Sequence, residues 1–234
     1  MVTPERRVRL IPVVVIAGCA ALLHSHGDAP MAWAGAVLAI VYVAQLVRGL
    51  TSHTRFVRSL RRFAWDGELA GVAVRWVPGV APFVAGVLRP RIYCDPQMSA
   101  RLTARQQRAV MLHERRHQRR RDPLRLLLSG ALRPLARLSP SLAAHLHARE
   151  VAREIAADRY AIRNGATRGD VAGALAAVLG IEGARLAPGF ASVVEARVRA
   201  LADEEPPRTG APWIWRMTQY VVATGLVAIC LVGL

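Results

Sequence analysis

Three apolar runs constrain this chain more than any other feature: Leu10–Leu23, Met31–Val47 and Met217–Leu234. A helix of about 20 apolar residues spans a bilayer, because it satisfies every backbone polar group internally. The first run is short, contains Pro12 and follows Arg6, Arg7 and Arg9, a start that also resembles a signal peptide. The second run follows after only the Arg-free linker His24–Pro30, so the pair reads as a transmembrane hairpin. Trp213 and Trp215 precede the third run and suit an interfacial belt. After the second run come Arg48, Arg55, Arg58, Arg61 and Arg62. Basic flanks stay on the cytoplasmic side. The pattern therefore predicts a multi-pass protein of the cell membrane: an N-terminal hairpin over 1–50, a cytoplasmic domain over 51–212 and a C-terminal membrane helix over 213–234.

Charge supports the same placement. The formal net charge is +16, and all 32 basic residues are arginine. Arginine is permanently charged and grips phosphate or carboxylate with two nitrogens. Near an anionic leaflet each such charge gains about 1 kcal/mol. Anionic lipid headgroups thus explain the basicity, and nucleic acid is not required as a partner. The three cysteines, Cys19, Cys94 and Cys230, form no CxxC pair. That spacing argues against both a disulfide scaffold and a Cys-rich zinc site.

The central region alternates short strands and helices. Residues 51–69 read as a basic helix. Val72–Val77 alternates as a strand, and Pro82–Leu88 and Arg91–Cys94 supply two more. Pro82 and Pro90 assign these last two to sheet edges, since proline cannot donate to a ladder. An edge strand is also where an extended peptide can add. Thr103 and Gln106 match a capping box and open a helix expected over about 103–121, ending before Asp122-Pro123. Pro123–Ala148, broken by Gly130, Pro134 and Pro140, reads as two short helices on the membrane face. A further helix is expected from Ser141 or Ala148 to Asn164, followed by amphipathic helices over 169–185 and 192–201 and a linker at 203–210.

The first of these long helices contains His113-Glu114-Arg115-Arg116-His117. A spacing of four stacks both imidazoles on one face, where each can give a nitrogen to a Zn²⁺ ion. Glu114 is rotated from them by about 100° and can reach a water at the metal without being a ligand. A catalytic zinc site needs a third protein ligand. The later helix offers Glu154 and Asp158, again four apart. Either Glu154 completes the site and Asp158 orients an imidazole, or Glu150 is the ligand and Glu154 its neighbour. His145, His147, Tyr160 and Arg163 are candidates for stabilising an oxyanion. The bland alternative for each acid is an ordinary surface pair with a nearby arginine.

Together, Arg91-Ile92, the stretch Ala109–His117 with Arg120–Leu124 after it, and Arg153–Asp158 resemble the BlaR/MecR-type integral-membrane zinc metallopeptidases, gluzincins related to the HtpX and CAAX-processing membrane proteases. The resemblance covers about Pro82–Arg185. It implies one zinc per chain on His113, His117 and Glu154, Glu114 as general base, and a protein or peptide substrate such as a transcriptional repressor. The expected architecture is mainly α with a small β-sheet: transmembrane helices flanking a cytoplasmic gluzincin-type metalloprotease domain. The β-lactam sensors of that type add an upstream membrane segment and a penicillin-binding domain. The sequence carries neither, so a signal is expected to enter another way. The competing expectation is a non-enzymatic membrane regulator whose basic cytoplasmic domain binds DNA or lipid, suggested by the arginine density of Arg101–Arg125. A degenerate metalloprotease kept as a scaffold is a third, set against by the presence of every expected ligand.

Overall fold

A computed structural model describes residues 29–181 and 188–202, with side chains over 36–180 and 191–202. The runs at 10–23 and 217–234 and the linker at 203–210 lie outside the described residues. The chain divides into two compact units, residues 1–48 with 210–234, and residues 49–209. Of the first, the described part is the start of helix α1 (Ala29–Phe63). Between residues 36 and 63 this helix is long and apolar enough to cross a membrane, and its best window is unburied. Val37, Leu38, Ile40, Val43 and Val47 are exposed along it.

The second unit is helical around a small mixed four-stranded sheet. Strands β1 (Trp65–Leu69) and β2 (Val72–Trp76) form an antiparallel hairpin. Its two-residue turn is Ala70-Gly71, both at positive φ (50° and 77°), the turn whose twist matches that of the paired strands. Gly67 is fixed by packing: a Cβ there would run into the Trp76 indole opposite. Strand β4 (Arg91–Cys94) pairs parallel with β2 and antiparallel with β3 (Phe83–Ala85).

Two sequence expectations change here. Residues 51–69 are not one helix, because α1 stops at Phe63 and β1 begins at Trp65. β4 is an interior strand rather than an edge; Pro90 precedes it and so takes no ladder position. β3, with Pro82 just before it, is an edge as expected.

Ile92, Tyr93 and Cys94 of β4 are almost fully buried and join two cores. Ile92 and Cys94 meet Val74, Met98, Leu102, Val110 and Met111. Tyr93 meets Val57 and Leu60 from the end of α1, with Val77 and Ala85. His53 of α1 also accepts a hydrogen bond from the Gly86 amide at the end of β3, at 3.0 Å.

Helix α2 (Pro96–Ala100), capped by Asp95, leads into α3 (Ala104–Arg119). The capping box is present: Thr103 N–H donates to Gln106 Oε1 at 2.9 Å, and Gln106 N–H donates to Thr103 Oγ1 at 3.3 Å. Reciprocal capping of this kind fixes where the helix begins, and with it the direction of every later side chain. The buried face of α3 carries Ala109, Val110 and Met111 and then His113 and Glu114. At its far end Gln118 donates to the Pro90 carbonyl at 2.9 Å, tying α3 to the start of β4.

Arg121 then adopts a left-handed conformation (φ 50°) and α4 (Asp122–Gly130) starts at once in a new direction. Such a conformation costs a non-glycine residue about 1 kcal/mol. The short α5 (Arg133–Ala136) follows, then α6 (Pro140–Arg163), capped by Ser139. Finally α7 (Arg168–Ile181) and α8 (Pro188–Leu201) pack on α3 and α6.

Because Ile92 is fully buried where strand and helix layers meet, Ile92→Ala should lower unfolding stability by about 2–5 kcal/mol. Leu88→Ala, at a site 83% exposed, should change it by less than about 0.5 kcal/mol. Thermal unfolding of the two variants beside wild type measures the contrast.

Candidate metal centre

Three helices bring the site together. From α3 come His113, Glu114 and His117; from α6, Glu154 and Asp158; from α8, Arg197. His113 Nε2 and His117 Nε2 lie 3.0 Å apart. Glu154 Oε2 is 3.3 Å from the first and 3.7 Å from the second. Donors about 2.0–2.2 Å from one tetrahedral ion sit roughly 3.3 Å from each other. The three atoms therefore have the spacing of ligands around a common centre, and His113, His117 and Glu154 form a group that could hold a metal ion.

The other ring nitrogens explain why these atoms converge. His113 Nδ1 is 2.8 Å from Asp158 Oδ1, and His117 Nδ1 is 2.6 Å from Asp122 Oδ2. A carboxylate at Nδ1 fixes the imidazole's tautomer and rotation, which turns the Nε2 lone pair toward the ion. Here both lone pairs and a carboxylate oxygen point at one spot. Only a cation or a shared proton satisfies that arrangement.

Asp158 and Asp122 are both buried. Arg197 grips Asp158 with two nitrogens, each at 2.8 Å, and its Nη1 is 3.8 Å from Glu154 Oε2. Asp122 receives a longer contact from Arg125, 3.4 Å.

Burial and charge act against each other throughout the cluster. Burial disfavours the charged form of His117, yet its hydrogen bonds to Asp122 and Glu154 and the charges of Glu114 and Glu154 outweigh that, lifting its pKa to about 10. His113 is raised in the same way, against its burial, by Asp158 and Glu154. Burial pushes Glu154 upward, but hydrogen bonds from both imidazoles hold it well below the ordinary carboxylate range. Asp158 is likewise depressed against its burial, by His113 and Arg197. Glu114 differs: burial dominates and raises it. The one carboxyl group raised above its ordinary range in this cluster is thus the one beside the ligands rather than among them.

A cavity of about 290 Å³ opens over these groups. Its walls include Pro82, Phe83 and Val84 around β3, Val110 of α3, and Leu175 and Val178 of α7, and Arg153 and Arg197 also line it.

The sequence-derived candidates sort clearly. His113, Glu114, His117, Glu154 and Asp158 all meet at the cavity. Glu150 does not; it lies 3.3 Å from Arg133. None of the four oxyanion candidates lines the cavity. His147 is 3.1 Å from the Ser192 hydroxyl, and the Tyr160 hydroxyl accepts from Arg119 at 2.8 Å. Asp122 and Arg153 lie in stretches that carry the resemblance but received no role from the sequence, and Arg197 lies in none of them. Asp122 follows His117 by five residues, off the helical period, and reaches it only because of the bend at Arg121.

Comparison with known proteins agrees with this geometry. No curated protein and no solved structure matches the chain. The family described as BlaR1 peptidase M56 matches residues 29–185, from the start of α1 to beyond α7 and including both helices that carry the ligand group. With two thirds of its length covered by that match, the chain belongs to the BlaR1 peptidase M56 family.

Proposed function

We propose that the chain is a membrane-associated zinc endopeptidase that hydrolyses peptide bonds of a cytoplasmic or membrane-proximal protein, with a transcriptional repressor in a signalling pathway as one substrate class. The observation that carries this reading is the convergence of His113 Nε2, His117 Nε2 and Glu154 Oε2 beside the raised carboxyl of Glu114. His113, His117 and Glu154 would hold the zinc. When bound, zinc supplies Lewis-acid polarisation of a carbonyl and activation of a water. Zinc suits two imidazoles and one carboxylate with a fourth position left open.

The chain's own groups do the rest. Glu114 accepts a proton from the attacking water and returns it to the departing amine. Asp158 and Asp122 keep the imidazoles aimed, and Arg197 keeps Asp158 charged and in place. The outer edge of β3 offers backbone groups to an extended substrate segment running along the cavity. In this reading residues 51–212 form a cytoplasmic peptidase domain beside an anionic membrane face, whose headgroups meet the arginines that follow the apolar helix.

Metal analysis and proteolysis test the roles together. Glu114→Ala should retain about one zinc per chain while cleavage falls by roughly 10²–10⁴-fold, and Glu154→Ala should lose the zinc. Purified wild type that binds no zinc, with both histidines intact, overturns the proposal.

Proton linkage gives a second test. In the metal-free protein the imidazoles hold their protons because carboxylates surround them, so metal must displace those protons. Affinity for zinc should therefore rise with pH through the neutral range and on toward about 10, with proton release visible as a buffer-dependent heat in calorimetry. Asp122→Asn removes the strongest support for a protonated His117 and for its aim. It should weaken zinc binding by about 10–100-fold and flatten that pH slope.

A further inference from the structure

Two guanidinium groups line the cavity, and they are not equivalent. Arg197 is neutralised by its two-nitrogen contact with Asp158, both bonds at 2.8 Å. Among the described residues Arg153 has no such partner. The nearest carboxylate oxygen to its Nε is Glu154 Oε1 at 4.0 Å, the limit of an ion pair, and the other oxygen of that carboxylate is the one turned to both imidazoles. The Arg153 side chain is only 18% exposed and lines the cavity, so a group that enters there meets it.

More positive charge stands behind it. Arg149 is pushed toward its neutral form first by burial and then by the charges of Arg125 and Arg153, so it feels repulsion from both. Arg125 reaches Asp122 only at 3.4 Å. The remaining acid on this stretch of α6, Glu150, faces Arg133 instead. With a divalent ion at the ligand group, the ion together with Arg153 and Arg197 balances Glu114, Asp122, Glu154 and Asp158. Arg125 and Arg149 then leave an excess of positive charge on the Arg153 side. The rest of the wall is apolar, through residues such as Phe83, Val110, Leu175 and Val178.

We propose that Arg153, backed by Arg125 and Arg149, is a specificity determinant that selects substrate segments bearing an acidic side chain next to an apolar one at the bond to be cut. The proposal rests on the peptidase reading for its setting. It adds the substrate's charge class, which the ligand group alone does not define. An aspartate or glutamate entering the cavity forms a two-nitrogen contact with Arg153 and relieves the repulsion between Arg153 and Arg149. A basic side chain at the same place adds to that repulsion. Because the contact is shielded from solvent, the discrimination is greater than at an exposed pair.

The test uses the full chain in detergent, zinc-loaded, with a randomised library of end-blocked peptides whose cleavage products are read by mass spectrometry. Wild-type products should be enriched in Asp or Glu within a few positions of the cut. A matched peptide trio with Glu, Gln or Lys at the enriched position should give kcat/KM at least about tenfold higher for Glu than for Lys, a difference of about 1.4 kcal/mol. Arg153→Glu should reverse that order at unchanged zinc content, which loss of packing alone does not do. Arg149→Glu, one turn further from the ligands, should reduce the preference and serves if Arg153→Glu disturbs the metal.

Binding of the same trio to Glu114→Ala protein, followed by fluorescence anisotropy, separates recognition from catalysis. Charge-dependent binding that Arg153→Glu reverses, without cleavage by wild type, sinks the peptidase reading and leaves of the inference only the selection of acidic segments by Arg153. Cleavage without acid enrichment, or an order unchanged by both charge reversals, overturns the inference alone. Displacement by anionic phospholipid vesicles with no preference among the peptides also overturns it, by assigning the arginines to a headgroup.

Discussion

Everything at the centre of this protein depends on two carboxylates placed behind two imidazoles. Asp158 at His113 and Asp122 at His117, at 2.8 and 2.6 Å, fix which ring nitrogen carries hydrogen and which faces the cavity. Without them, HExxH specifies only that two histidines share a helix face. With them, the free lone pairs meet at 3.0 Å, a separation that two neutral acceptors avoid unless a cation lies between. The carboxylates arrive from different elements, α4 and α6. The ligand geometry is therefore a tertiary property, although two of its three ligands are neighbours on one helix.

Placing so much charge in the interior is costly, because burial alone penalises each ionised group by several kcal/mol. The structure offsets this by alternating signs. Arg197 closes the chain from Asp158 to His113 to Glu154, and every ligand-supporting carboxylate has a cationic neighbour. Glu114 differs in that burial outweighs the charges of His113, His117 and Arg197 and raises it. Around the polar centre, α3 carries the cost in packing. Its buried face runs from Ala109 and Met111, set in the hydrophobic core, directly into His113 and Glu114. One helix is thus both core element and site scaffold, so its angle is over-determined by the sheet below and by α6 and α7.

What could be read in the sequence was local and periodic. The Thr103–Gln106 box, the four-residue spacing of His113 and His117, and that of Glu154 and Asp158 are each properties of one helix, and one helix's geometry is known before folding. The family resemblance rested on those same stretches. The strand at β4 was legible from its composition, but its place in the sheet was not, since proline before a strand and proline at its edge look alike in sequence. β1 was hidden because basic residues of α1 run up to Phe63 and nothing but the Ala70-Gly71 turn marks the change of period. Arg197 lies 39 residues beyond the aspartate that it grips. No spacing rule connects residues across that distance.

The left-handed bend at Arg121 bears on how such sites diverge. Had α3 simply continued, position 122 would lie about 140° around the axis from His117 and could not face its ring. The interval from His117 to Asp122 therefore records a change of direction, not a number of helical turns. An insertion or deletion of one residue there would leave both helices intact and every ligand in place while swinging the carboxylate away from the imidazole. Length variation at this corner is then a route by which a chain could retain its full ligand motif, fold normally and still lose its grip on the metal. A motif of ligands alone would not distinguish such a relative from an active one; the length of the corner would.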